Sequence, residues 1–209
     1  DDGPTAGFTL SATPSVTHDE TTGVQSLPAN DHSGAVPAFL VPSGAGTLIG
    51  WAQSAGSVIA TDTSTGGADG KASDVFTLTT STGGAFSGVD SGLKATVTGN
   101  EIFLFTEGSL IVGRELNSVG AVAFSIGLDA SNNLDVAQYE AIKHNLSPEN
   151  NADSSEPVSL TSGLLHVTQT VTDGDGDTAT STNAAGLTVS FLDDGPTAGF
   201  TLSATPSVT

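Results

Sequence analysis

Cysteine is absent from this 209-residue chain, which rules out disulfide staples and thiolate metal sites together. Basic residues are almost as scarce: four Lys and Arg stand against 23 Asp and Glu, a formal charge of −19. A surface so one-signed repels nucleic acid and anionic membrane, and a compact state suffers self-repulsion unless cations condense on it. A demand for solubility, or a saline habitat, is the plain alternative source of the same acidity. Aromatics make up 5% of the chain, with one Trp and one Tyr, so platforms for stacking sugar rings are few. There is no apolar run of the roughly 18 residues that a membrane-spanning helix needs, so no membrane insertion by this segment is expected. No signal peptide is visible, although an internal fragment would show none.

What is present, most conspicuously, is a repeat. The first seventeen residues, DDGPTAGFTLSATPSVT from Asp1 to Thr17, recur unchanged as Asp193 to Thr209. The chain therefore reads as one 192-residue period of a tandem array, the separation of Asp1 and Asp193, followed by the start of the next copy. The expected organisation is one domain over residues 1–192, with an inserted or divergent part within 20–74, and a linker and first strand of the next repeat over 193–209. A unit copied this faithfully supplies length or spacing more readily than one-off chemistry.

Strand signals dominate. Apolar residues alternate in Phe8–Leu10–Ala12, Phe76–Leu78, Leu93–Ala95–Val97 and Val122–Phe124–Ile126–Leu128. Glu101 to Phe105 is apolar on both faces, as a central strand would be, and runs through Gly108 into Leu110 to Val112 as a hairpin. Leu165, Val167 and Val171, then Leu187, Val189 and Phe191, give two further strands. One short helix is expected from Asp135 to His144: Asp135 caps, Gln138 follows three residues on, and Val136, Tyr139 and Ile142 share a face. The loop beyond it, SPENNADSSEP, is polar and acidic. The fold class is all-β, an immunoglobulin-like or cadherin-like β-sandwich with extra strands, although one such sandwich usually takes only about 100 residues.

The strongest chemical signal is DGDGD, Asp173 to Asp177, between two expected strands. Carboxylates at alternate positions, with glycines that let the backbone wrap an ion, supply the hard oxygen ligands that Ca2+ takes in sets of about six to eight. An ordinary acidic turn is the bland reading, since Asp-Gly is a favoured turn pair. Against it, three carboxylates this close repel unless a cation lies between them. The second signal is DDGP, Asp1–Asp2 and again Asp193–Asp194, a short linker stiffened at proline. If the last two strands form an antiparallel hairpin, the DGDGD turn lies opposite the exit at Asp193, beside Asp1 and Asp2. The first strand would carry Asp19 and Glu20 to the exit end, near Asp193 and Asp194. Each seam between copies would then gather Asp19, Glu20 and the linker aspartates with the next copy's DGDGD loop, so Ca2+ is the expected cofactor. This logic is that of the calcium-bridged junctions of cadherins, though the sequence is not a cadherin.

Read together, DSGLKATVTGNEIFLF, IVGRELN, VAFSIGLD, VAQYEAIKH, VTDGDGDTATSTN and FLDDGP resemble the large repeats of bacterial type I-secreted giant adhesins, the RTX and biofilm-associated surface proteins. The resemblance is close over residues 75–196. It implies an immunoglobulin-like extender module, secreted unfolded and folded outside the cell in calcium, monomeric, joined end to end with its neighbours at the bacterial surface. A module working there without disulfides needs another staple, and divalent metal serves.

Rival readings are weaker. Ser91 to Lys94 spells S-x-x-K, the nucleophile-and-lysine spacing of serine β-lactamases, but it falls in an expected strand and no K-T-G or S-D-N follows. No enzyme is expected. His18, His32, His144 and His166 lack zinc-like spacing. A calcium-dependent carbohydrate- or protein-binding sandwich is the better rival, but its candidate platforms, Trp51 and Tyr139, read as packing residues.

Overall fold

The computed structural model describes residues 2–26, 28–144 and 157–193. Fourteen strands run through them: β1 Phe8–Leu10, β2 Ser15–Asp19, β3 Gly50–Ser57, β4 Ile59–Asp62, β5 Lys71–Thr79, β6 Ser87–Lys94, β7 Glu101–Glu107, β8 Leu110–Glu115, β9 Val122–Leu128, β10 Asn133–Gln138, β11 Pro157–Ser159, β12 His166–Asp173, β13 Thr178–Thr182 and β14 Thr188–Leu192. The only helical turns among the described residues are two short 3-10 turns, Ala38–Leu40 and Gly67–Asp69. No helix among them is long and apolar enough to cross a membrane. The chain is an all-β sandwich.

One layer is a six-stranded antiparallel sheet in the order β3-β10-β9-β8-β7-β6. Facing it are two three-stranded sheets, β11-β14-β2 and β13-β12-β5, while β1 and β4 pair separately. Among the described residues all ladders are antiparallel except β14 with β2. The main core fills the space between layers. Leu104, Ile111, Phe124, Ile126 and Val136 from the large sheet meet Val16, Val167, Val189 and Phe191 from the other side. Phe124 and Phe191 touch across the middle, ring centroids 5.3 Å apart.

The large sheet is covered on its other face too. Leu40, Trp51, Leu110, Val112, Val122, Ala137 and Tyr139 form a second cluster, with Val36, Ala45 and Leu48 packed against it. Residues 36–48 thus lie as a strap over that face. The strap explains why β8 and β9 are buried almost throughout, with small residues on the strap side: the Ser125 hydroxyl donates to the Leu40 carbonyl at 2.5 Å, and a side chain at Gly127 would collide with Phe39. The expected hairpin through Gly108 is present as β7–β8, with Gly108 at a φ of 64°. The expected run Val122–Phe124–Ile126–Leu128 is broken by a register shift opposite Gly113 and Arg114, which moves Val122 out of the main core into the strap cluster.

The expected helix from Asp135 to His144 does not form. Residues 133–138 are instead the strand β10, hydrogen-bonded to β3 on one side and β9 on the other. Two ladders satisfy more backbone than a short helix would, and burial of both faces, Val136 to the core and Ala137 to the strap, overrides the helical preference of Ala and Gln. Tyr139 continues the strap face and its hydroxyl donates to Leu40, while Ile142 bridges to Ala95.

Candidate metal centre

The turn joining β12 to β13 is built around Asp173. Its Oδ1 accepts the N–H groups of Gly176 (3.1 Å) and Asp177 (2.8 Å), and its own N–H donates to the Asp177 carbonyl, closing the loop. Gly176 has a φ of 101°, a conformation that side chains rarely adopt. The aspartate is 1% exposed, yet its Oδ2 is buried without a hydrogen-bond partner. A carboxylate oxygen left bare in the interior is costly unless something positive meets it.

Two further carboxylates approach the Asp173 side chain. Ligand atoms of Asp69, Asp173 and Asp175 lie within 4.8 Å of one another. Asp69 ends the 3-10 turn Gly67–Asp69, and Gly174 gives it room: a Cβ there would lie 2.6 Å from the Asp69 carbonyl. The turn is pressed in turn against the incoming chain, since a Cβ at Gly67 would fall 1.7 Å from the Asp2 carbonyl. Crowding leaves an electrostatic mark on Asp175, whose carboxyl is held above its ordinary range by a hydrogen bond with Asp173, then by the charges of Asp173, Asp177 and Asp69. All donors are oxygens, two are exposed and one is buried, which suits a hard divalent cation of the Ca2+ kind completed by carbonyls or water.

Of the residues expected to bind metal, Asp173 and Asp175 are brought together, and Asp2 passes beside their partner turn. The Asp177 side chain is exposed and stands outside the group, adding charge while its backbone closes the loop. Asp69 is the ligand candidate that sequence reasoning missed. Its only local signal is another Asp-Gly pair, Asp69–Gly70, far from DGDGD along the chain.

Asp19, Glu20 and Asp193 gather at the other end. Asp19 lies opposite Leu192, and the Glu20 N–H donates to the Leu192 carbonyl at 3.1 Å. Glu20 turns inward, accepting the Gln138 amide and the Ile142 N–H (2.8 Å), with the His144 Nε2 4.0 Å away. Asp19 accepts the Thr21 N–H at 2.8 Å. Asp1 and Asp194 lie outside the described residues. The S-x-x-K pair is divided: the Ser91 hydroxyl, fully buried, donates to the Ile102 carbonyl at 2.6 Å, while Lys94 pairs with Glu101 at 2.7 Å.

Residues 15–186 match the family described as a domain of unknown function, DUF5801. The chain belongs to that family. The DUF5801 span runs from the first residue of β2 to the turn before β14, so it contains Asp69, Asp173 and Asp175 and leaves Asp2 and Asp193 outside. No curated protein and no solved structure matches the chain.

Proposed function

We propose that this DUF5801 module is a structural extender of a long bacterial cell-surface adhesin, secreted and then locked by Ca2+ at the junctions between repeats, so that a distal ligand-binding region stands away from the cell. The observation that carries the reading is the buried Asp173, with its Oδ2 bare and its carboxylate grouped with those of Asp69 and Asp175 beside the chain arriving at Asp2. The seventeen-residue repeat makes Asp194 the next copy's counterpart of Asp2. Each linker therefore delivers its acids to the following module's Asp69–Asp173–Asp175 group, while the preceding module's Asp19 and Asp193 lie at the exit. Cation binding there neutralises facing carboxylates and freezes the linker; without it, like charges hold neighbouring modules apart and the joint swings. The affinity fitting an extracellular module is about 10⁻⁴ to 10⁻³ M.

Small-angle scattering on a chain of two or more repeats, in millimolar Ca2+ and then in EGTA, tests this. A rigid rod that becomes flexible on chelation, with the same flexibility in Asp175→Ala and Asp69→Asn even when Ca2+ is present, is the expected result. A profile indifferent to chelation would reduce the acidic group to a solubility feature and bring the calcium-dependent binding module forward.

A further inference from the structure

A second pair of carboxylates lies within the module, on the strap-side face of the large sheet and away from the acidic β12–β13 turn. Asp129 opens the β9–β10 turn: its Oδ1 accepts the N–H groups of Ser131 (2.7 Å) and Asn133 (2.9 Å), and its Oδ2 accepts the Asn133 side-chain amide at 2.8 Å. Asp135, in β10, is fully buried. One nitrogen serves both acids, because the Gln53 Nε2 donates to Asp135 Oδ1 at 2.9 Å and to Asp129 Oδ2 at 3.3 Å. Asp135 Oδ2 is left buried with no partner.

The polar balance of this group does not close at Asp135. Asp129 is otherwise satisfied by Ser131 and Asn133, so the shared Gln53 amide leaves the shortfall on Asp135, and three of the four basic side chains, Lys71, Lys94 and Arg114, are committed to Asp62 and Asp74, Glu101, and Glu107. We propose that Asp129 and Asp135 hold a hard divalent cation of the Ca2+ kind inside each module, the bare Oδ2 of Asp135 being its innermost ligand. Every side-chain donor at hand is an oxygen or an amide, and half a turn of the Gln53 amide exchanges its N–H2 for a carbonyl oxygen. This site depends on no neighbour, so it stands or falls separately from the seams.

Trp51 makes the site readable. It is the sole tryptophan, lies on β3 two residues from Gln53, and pairs with Ala137 as Gln53 pairs with Asp135. That spacing is about 7 Å along the strand on one face. Terbium substitutes for Ca2+ at oxygen sites and emits when a nearby indole passes it excitation, an effect that fades steeply with distance. Excitation of the full chain at the indole band, at pH 7.5 with Tb3+ added, should give sensitised emission that excess Ca2+ competes away. Asp135→Asn should weaken Tb3+ at least ten-fold, Gln53→Glu should tighten it, and Asp175→Ala should leave this emission as it was. Absent emission from the unmodified chain, unchanged affinity in Asp135→Asn, or no gain in Gln53→Glu would each overturn the site. Loss of emission in Asp175→Ala would assign it to the acidic turn instead and overturn it too. Gln53→Glu keeps the question answerable should Asp135→Asn fail to fold.

Discussion

Arg114 shows how few positive charges this fold can spend and where it spends one. Its guanidinium makes two parallel bonds to Glu107, at 2.5 and 3.0 Å, and donates to the carbonyls of Ser43 (2.8 Å) and Gly120 (3.0 Å). It therefore ties the strap to the large sheet at 7% exposure. The Glu107 hydrogen bond raises its pKa further above the ordinary arginine value. Arg114→Met leaves a carboxylate and two carbonyls without their donor and should cost on the order of 3 kcal/mol, read as a lower denaturant midpoint. Arg114→Lys should recover only part, since an ammonium cannot reproduce the fork; full recovery would mean that charge alone matters. The same scale shows what the sequence made legible at the metal centre. Asp173 and Asp175 announce themselves by spacing, because both candidate ligands come from one turn. Asp69 does not, because its contact is made by tertiary packing through Gly174, and no local pattern records that. Asp135 carried the opposite trap: an acid that looks like a helix cap is a buried strand residue.

Among elements, β10 is the instructive one. Val136, Tyr139 and Ile142 fall at a spacing of three, which fits one helical face, while Val136, Ala137 and Gln138 alternate between two buried faces of a sheet. Periodicity cannot separate these when both sides of a strand are covered, and the strap that covers the second side is itself a loop with no repeating pattern. Strands with one clear polar face, such as β12 and β14, were legible, as was the β7–β8 hairpin around Gly108. The β12–β13 turn invites its own test. Gly174→Ala would drive a methyl into the Asp69 carbonyl, so it should part Asp69 from Asp173 and Asp175 while leaving the β12–β13 ladder intact. The expected outcome is weaker Ca2+ binding by calorimetry with an unchanged far-ultraviolet circular dichroism spectrum in saturating Ca2+; undiminished affinity would place Asp69 outside the coordination.

For the whole molecule, acidity becomes a dependence on pH. Burial pushes Asp135 up to about 6 and, with Glu115 alongside, Glu140 up to about 7. A carboxyl raised in the fold favours folding while protonated, so its contribution is complete below about pH 4 and drains away as pH climbs through 6 and 7. Asp62 runs the other way: although partial desolvation pushes it up, donors from Ser64, Gln169 and Lys71 hold it below its ordinary range, so its contribution is present above that range and lost in acid. Self-repulsion of the −19 chain grows in the same direction as the Asp135 and Glu140 losses. In calcium-free buffer the melting temperature should therefore fall from pH 4.5 to 8, and saturating Ca2+ should flatten that fall. A melting temperature that rises over this range without Ca2+ would contradict the raised pair.

The one parallel ladder among the described residues bears on how the molecule answers a pull. β2 leads in from the end where the chain enters, β14 leads out at Asp193, and the two lie side by side in five consecutive pairs from Ser15–Thr188 to Asp19–Leu192. Tension applied at entry and exit drags these strands lengthwise past one another, so the rungs share the load and must yield together. Were the loaded ends at the same edge of an antiparallel pair, the rungs would open one after another like a zip. In the proposed array, a string of such modules would resist flow by shear at every link, with the exit strand of each one acting as its tether.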